Sequence, residues 1–318
     1  MPRARTRVVV ESLLRTETER IELVTTFDII PDIHAQSGKL RALLGKLGYR
    51  SSAGSWRSPY ADRKIVFLGD FIDRGPDNSG VLQIVRGLQD ADLALAVMGN
   101  HELNAIHFHT ADPDSGKPLR QHSPKNMRQH ASFLSEFPIG DPRTQDALDW
   151  MKTLPLFLDL DHFRAVHACW HQEAIYRLQG LTPSGILSDD QLRDAADRKS
   201  AIYADVDVIT TGPEYPLPQG YTFNDKNGES RNEVRIAWWR RDAVTWRDAA
   251  ISVPDLSDIP DIHLPDEACD VHYPENAKPV FFGHYWLEGK PLIASANTCC
   301  LDCSAGTDGP LIAYSFTP

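Results

Sequence analysis

The chain has 318 residues and a formal net charge of −11, from 33 basic and 44 acidic side chains. That acidic balance argues against tracking a nucleic-acid backbone by bulk electrostatics, and 42% hydrophobic with 24% charged residues is neither a disorder-like nor a membrane-like composition. The length equals about two average domains, yet catalytic α/β domains often exceed 200 residues, so one domain over residues 1–318 with insertions is expected.

The first residues, MPRARTRVVVESLLRTETER, begin basic, but Glu11 and Arg15 cut the apolar stretch. No secretory signal is expected there, and with no apolar run near the roughly 20 residues of a membrane helix, the expected compartment is the cytoplasm. Ile21 to Ile30 then reads as a strand, Leu40 to Leu47 as a helix, Lys64 to Leu68 as a buried strand, Val81 to Leu88 as a helix and Leu93 to Met98 as a strand. In such a βαβαβ run, ligands sit at the carboxyl ends of the strands. Residues 103–150 read as a rim insertion, polar at first and then helical, with a helix at Thr144 to Leu154. Phe157 to Ala168 looks like a strand, Gln172 to Leu178 and Asp189 to Arg198 like helices, and Tyr215 to Asn232 like a turn-rich lobe inside a second rim insertion, 180–233. Val234 to Trp239, Pro279 to Phe282, Leu292 to Leu301 and Leu311 to Phe316 read as strands of a second sheet packed on the first. The five cysteines, Cys169, Cys269, Cys299, Cys300 and Cys303, are an odd number in a long chain, as reduced thiols are.

Three successive strand ends carry the same kind of cargo: Pro31-Asp32-Ile33-His34, then Gly69-Asp70-Phe71-Ile72-Asp73-Arg74-Gly75, then Gly99-Asn100-His101-Glu102. Carboxylate and amide oxygens mixed with imidazoles suit Mn, Fe, Zn, Co or Ni rather than a soft-metal thiolate site. Asp32 and His34, at i and i+2 of an extended segment, point the same way, and Asp70 at the neighbouring strand end is placed to bridge two ions. Gly69 and Gly99 permit sharp turns and close backbone approach directly after a strand. His101 with Asp73 makes an imidazole–carboxylate pair of general-acid type, and Arg74 offers the bidentate fork that phosphate prefers.

The segments PDIH, GDFIDRG and GNHE, followed by His167 in RAVHACW and by Gly283-His284 in FFGHYW, resemble the five ordered blocks of the calcineurin-like metallophosphoesterases. The Asp-Arg-Gly and Asn-His-Glu forms resemble the phosphoprotein-phosphatase branch, which includes the symmetrical bis-nucleoside tetraphosphatases. Ser295 to Cys303 (SANTCCLDC) resembles the strand before the closing hairpin of that branch, and Leu301-Asp302 with Gly309-Pro310-Leu311-Ile312-Ala313 is similar to the ending of the tetraphosphatases. The resemblance implies a four-layer α/β/β/α sandwich. It implies that Asp32 and His34 hold a first divalent metal ion, Asp70 bridges, and Asn100, His167 and His284 complete a second, with Mn²⁺ the activating ion. It also implies that His101, oriented by Asp73, protonates the leaving oxygen while Arg74 and a second arginine hold the phosphate. Arg235 in EVRIAWW is chosen for the second arginine over Arg231, Arg240 and Arg241.

Such a centre, with ions about 3.5–4 Å apart, lowers the pKa of a bridging water and clamps the oxygens of an in-line displacement without a phosphoenzyme. The expected function is phosphomonoester hydrolysis, with dinucleoside polyphosphate or other nucleotide anhydride cleavage as the alternative and a non-catalytic phospho-ligand scaffold as a reading of another class. The expected partners are a phosphorylated small molecule, a nucleotide or a phosphoprotein, with neither membrane nor nucleic acid. The chain departs from the family pattern at Pro31 and Ala35, where glycines are usual, at Ala168-Cys169-Trp170 after His167, at Trp286 and at Glu102. His107, His109, His122 and His130 read as surface or capping histidines, and His171 as either a partner of the site or a helix start. The cysteines around Cys300 read as buried thiols rather than a zinc site, which would need a second pair. Asp255 to Asp270 reads as a solvated loop, and of Trp238 and Trp239 one is expected in the core and one toward the cleft.

Overall fold

The computed structural model describes residues 25–52, 55–225, 228–269, 271–287 and 292–318. The opening segment and the first part of the strand expected from Ile21 lie outside them. Strand β1 (Thr26–Ile30), helix α1 (Ser37–Leu47), strand β2 (Arg63–Phe67), helix α2 (Asn78–Asp90) and strand β3 (Ala94–Ala96) realise the expected βαβαβ run. These three strands are parallel neighbours, and β12 (Tyr314–Phe316) closes the sheet antiparallel to β1. Asp77 caps α2 by accepting the Gly80 N–H at 2.9 Å, which fixes where the helix starts after the second strand-end loop.

After β3 come α3 (Asn100–His109), α4 (Pro124–Gln129), α5 (Ala131–Glu136) and α6 (Pro142–Met151). Phe157 to Ala168 is two strands rather than one: β4 (Phe157–Asp159) and β5 (Arg164–Val166) pair antiparallel, because the polar Asp161-His162 lies in a turn closed by Leu160 N–H to Phe163 O at 3.0 Å. Helices α7 (Gln172–Leu181), α8 (Asp189–Asp194) and α9 (Ala201–Thr211) follow, then a rim sheet of β6 (Glu214–Pro216), β7 (Glu233–Ile236) and β8 (Ala250–Ile251). β-Branched residues crowd the end of α9, yet it is helical because Ile202, Val206 and Ile209 share one buried stripe at helical spacing.

Leu292 to Leu301 is likewise a hairpin. Strand β9 (Val280–Phe282) runs parallel to β11 (Thr298–Cys300) and to β5, while β10 (Leu292–Ser295) turns back on β11. The second sheet therefore has the order β10-β11-β9-β5-β4. The two-residue period of the strands sorts side chains into layers. Ile29, Val66, Phe163, Ala165, Phe281 and Cys299 meet in a dry seam between the sheets. Ile30, Ile65 and Phe67 face α1 and α2, while Val166, Phe282 and Cys300 face the helical side of the second sheet. This is the four-layer α/β/β/α sandwich.

Trp238 and Trp239 are both buried, against the expectation that one lines the cleft. The strand ends at Ile236, so the two rings do not alternate across it; Trp238 packs on Phe282 at 4.6 Å and Trp239 at 4.9 Å. The segment from Asp255 is not wholly solvated either: Ile259, Leu264 and Ala268 are buried under the rim sheet. Among the described residues no helix is long and apolar enough to cross a membrane.

Candidate metal centre and active-site cleft

Five strand ends converge. Asp32 and His34 follow β1, Asp70 follows β2, Asn100 and His101 open α3 after β3, His167 follows β5 and His284 follows β9. Gly69 and Gly99 make the junction possible. Gly69 has φ 93, and a Cβ there would lie 2.6 Å from the Gly99 nitrogen; a Cβ on Gly99 would collide with the Asp70 backbone and carboxylate. His34, Asp70, Asp73, Arg74 and His284 all adopt positive φ, so the loops carry backbone strain where the side chains meet.

Asp70 stands at the middle. Its Oδ1 accepts the His101 backbone N–H at 3.0 Å and lies 3.4 Å from His167 Nε2, while Oδ2 lies 3.7 Å from His34 Nε2 and 4.0 Å from His101 Nε2. Two clusters of potential ligand atoms share it: Asp70 with His34 and His101, and Asp70 with His167 and His284. Asp32 Oδ2 is 3.9 Å from His34 Nε2, and its carboxylate accepts the His284 backbone N–H at 3.0 and 3.2 Å. Asn100 Oδ1 is 3.0 Å from both His167 Nε2 and His284 Nδ1. All six residues expected as ligands are thus brought together.

The donor set fits divalent cations on its own chemistry. His167 Nδ1 faces Leu68 O at 2.7 Å and His34 Nδ1 faces Ile72 O at 3.2 Å, so each ring donates there and turns the lone pair of Nε2 inward. Those lone pairs then confront acceptor oxygens, and His34 Nε2 is buried without any hydrogen-bond partner. Such orphaned acceptors are costly unless a cation lies between them. The electrostatics agree. Burial, with Asp302 and Asp70 beside it, raises the Asp32 carboxyl well above its ordinary value. Burial, aided by His101 and Arg74, lowers His34 to about 3. Burial opposes charge on Asp70 too, but the imidazoles of His167, His101, His34 and His284 hold it below the carboxylate range.

Beside this centre, His101 Nδ1 meets Asp73 Oδ2 at 2.6 Å. Burial disfavours the imidazolium, but Asp70 and Asp73 outweigh it and raise the His101 pKa. Arg74 lies with its guanidinium 4.0 Å from the Trp286 ring centroid, and that ring also packs on His34 at 5.6 Å. Arg235 lines the cleft and pairs with Glu214 at 2.8 Å across the rim sheet. Its competitors are engaged elsewhere: Arg231 with Asp225 at 2.7 Å, Arg240 with Asp248 O at 2.9 Å, and Arg241 with Glu275 at 2.8 Å. The cleft has a volume of about 570 Å³.

Several contributors escape sequence reasoning. Glu102 is buried and accepts from the backbone N–H groups of Asp70, Phe71 and Gly99 at 2.8, 2.8 and 3.0 Å, tying the second and third strand-end loops together. Burial, with Asp70 near, pushes it up to about 7. Asp302 accepts the Trp286 N–H at 2.8 Å and sets the loop that carries the tryptophan. The histidines at 107 and 130 are buried rather than superficial, His130 within 2.9 Å of Asp73; His109 is half-buried against His130, and His122, though exposed, is stacked on Phe108 at 3.9 Å. Their aromatic neighbours in the helical rim are the signal that could have found them. His171 is a helix start: it caps α7 by accepting the Ala174 N–H at 3.2 Å. The cysteines are free thiols; burial raises Cys169 and Cys300 well above the ordinary value and Cys299 and Cys303 to about 11.

The chain is similar to known proteins over parts of its length. A stretch is 43% identical over 165 residues to the asymmetrical bis(5'-nucleosyl)-tetraphosphatase PrpE of Oceanobacillus iheyensis, covering 51% of this chain and 64% of that protein. A second is 25% identical over 169 residues to a symmetrical bis(5'-nucleosyl)-tetraphosphatase of Shewanella baltica, covering 51% of this chain and 53% of that one. The chain thus spans less than two thirds of the length of these relatives. A cold-active protein tyrosine phosphatase of known structure superposes over 92% of this chain and 78% of its own at 18% identity and a TM-score of 0.49, too distant to bear on the reaction. The profile described as Calcineurin-like phosphoesterase matches residues 25–285, well over half of the chain, and with the convergent centre at five strand ends it follows that the chain belongs to the calcineurin-like phosphoesterase family.

Proposed function

We propose that the protein is a dinuclear-metal-dependent phosphohydrolase that cleaves phosphomonoesters by direct attack of water, with residues 103–150 and 180–233 as the rim of one catalytic unit. The observation that carries this reading is Asp70, whose two oxygens face two separate nitrogen clusters at 3.4 and 3.7 Å. Asp32 and His34 would hold one ion, Asp70 both, and Asn100, His167 and His284 the other. Bound there, Mn²⁺ or another ion of the Fe, Zn, Co and Ni group would supply the charge that acidifies water and neutralises phosphoryl oxygens. Arg74, steadied on Trp286, holds the phosphate with its fork, and Arg235 approaches from the rim side. His101, held at Nδ1 by Asp73, presents Nε2 to the departing oxygen and delivers the proton it needs.

A second reading, cleavage of dinucleoside polyphosphates, is favoured by one feature of the cleft. A further lobe of about 490 Å³ shares Asn100, Asn104, Arg120 and Asn126 with the first and is lined by Tyr203 and Arg198. Arg120 hydrogen-bonds the amide oxygens of Asn104, Asn126 and Gln129, and no carboxylate among the described residues pairs with it. A cation with neutral partners suits a second phosphoryl group, and a tyrosine lining the same lobe suits a base.

The test is turnover of metal-stripped protein resupplied separately with Mn²⁺, Zn²⁺ and Mg²⁺ on an aryl phosphate and on diadenosine tetraphosphate. Metal-dependent release from the aryl phosphate supports the first reading, and selective splitting of the tetraphosphate promotes the second. Binding of either compound with no turnover under any metal would favour a phospho-ligand scaffold.

A further inference from the structure

The carboxylate of Asp73 is held from two sides. Oδ2 accepts from His101 Nδ1 at 2.6 Å, and Oδ1 accepts from His130 Nδ1 at 2.9 Å. The second bond reaches in from the rim, since His130 stands between α4 and α5 and is 57 residues further along the chain. The His130 ring has little freedom to turn. It is buried, stacked on Phe133 at 4.8 Å, and packed on Phe108 at 5.0 Å. Its Nε2 lies 3.1 Å from Nε2 of His109, so one proton between the two rings locks the outer edge as well.

The same insertion grips this loop a second time. Glu136 Oε1 accepts from both the N–H and the Nδ2 of Asn78 at 2.7 Å, and Asn78 Oδ1 in turn accepts the Asp73 N–H at 2.8 Å. Asp73 needs external support because its φ of 68 is a left-handed conformation that a non-glycine residue does not hold unaided. Burial resists its charge, but the two imidazole bonds win and hold its pKa down to about 2, so both are bonds to an anion. A carboxylate anchored at one oxygen cannot rotate, and its other oxygen is thereby aimed.

We propose that His130 is a positioning residue of the general acid: by holding Asp73 Oδ1 it fixes Oδ2 on His101 Nδ1 and so aims His101 Nε2 at the departing oxygen. This rests on the reading of His101 as the acid given above. The rim insertion thereby contributes to the chemical step as well as to the walls of the cleft.

A poor leaving group needs the proton and a good one does not, so the leaving-group dependence reads the acid separately from stability. The experiment measures kcat and KM of the Mn²⁺-loaded full chain on aryl phosphates running from dinitrophenyl to phenyl phosphate. His130→Phe keeps the ring stack and loses the donor; it is expected to lower kcat on phenyl phosphate by about 10- to 100-fold, far more than on dinitrophenyl phosphate, with KM little changed. His130→Asn, which returns an N–H near the Nδ1 position, is expected to recover most of that loss. His101→Asn, run alongside, should steepen the dependence further. An equal loss on every substrate, no loss, or an Asn variant no better than Phe overturns the proposal. If His101→Asn steepens the dependence and His130→Phe does not, this inference alone falls; if His101→Asn does not steepen it, the general-acid reading falls and takes this one with it.

Discussion

Asp32, His34, Asp70, Asn100 and His101 leave the carboxyl ends of three adjacent parallel strands, whereas Arg120, His130, Arg198 and Tyr203 reach the same cleft from helical insertions. The first group is placed by sheet register: once β1, β2 and β3 pair, the three loops are neighbours and Glu102 stitches two of them together. The second group is placed by how the insertions fold back, through contacts such as His130 to Asp73 and Glu136 to Asn78. On the function proposed here, one region would supply the chemistry and the other its aim and its choice of substrate. The two should therefore fail in different ways when altered.

The largest effect belongs to the strand ends. Asp70→Asn keeps shape but removes the charge both clusters share, so elemental analysis should find both metals depleted and turnover should fall by several orders of magnitude; full occupancy would break the assignment of a bridge. His101→Asn should lower kcat on a poor leaving group by about 10² to 10⁴-fold with metal content intact, and unchanged turnover would remove it from the reaction. At the rim, Arg120→Met should raise KM for diadenosine tetraphosphate by about 10- to 100-fold, the worth of a bond to a charged group, while barely moving aryl phosphate turnover. Equal effects on both substrates would erase the division between the regions.

The smallest expected effect is on stability. His107, buried in α3 with Nε2 2.8 Å from Leu192 O, is lowered by burial from 6.5 to about 4. Between those values the unfolded chain binds the proton and the folded chain does not. Its contribution is therefore complete above pH 6.5 and is lost as pH falls toward 4, by roughly 2 kcal/mol at about pH 5. Denaturation midpoints of His107→Gln should fall less between about pH 7 and pH 5 than those of the parent chain; identical slopes would show that His107 does not titrate differently on folding.

Legibility followed the same division. GDFIDRG and GNHE could be read because each packs turn, ligand and helix start into a few consecutive residues, and the unbroken apolar run Ile65-Val66-Phe67-Leu68 betrays a strand buried on both faces. Phe157 to Ala168 and Leu292 to Leu301 were harder, since a tight polar turn inside an apolar run leaves the period-two pattern almost unbroken on either side. Trp238 and Trp239 misled for a related reason: alternation presupposes a strand, and the chain had already left it at Ile236.

The sequence by itself set out Asp32, His34, Asp70, Asn100 and His101 at three successive strand ends and pointed to the His101–Asp73 pair, because each block joins a strand's periodicity to its own turn residues, whereas His167 and His284 entered through the family resemblance. Only the tertiary structure decided that Arg235 rather than Arg231, Arg240 or Arg241 faces the cleft, that Glu102 joins two loops, and that His130 grips Asp73. Those outcomes depend on which partner wins among distant polar groups once burial has removed water as a competitor, and no local pattern records that choice.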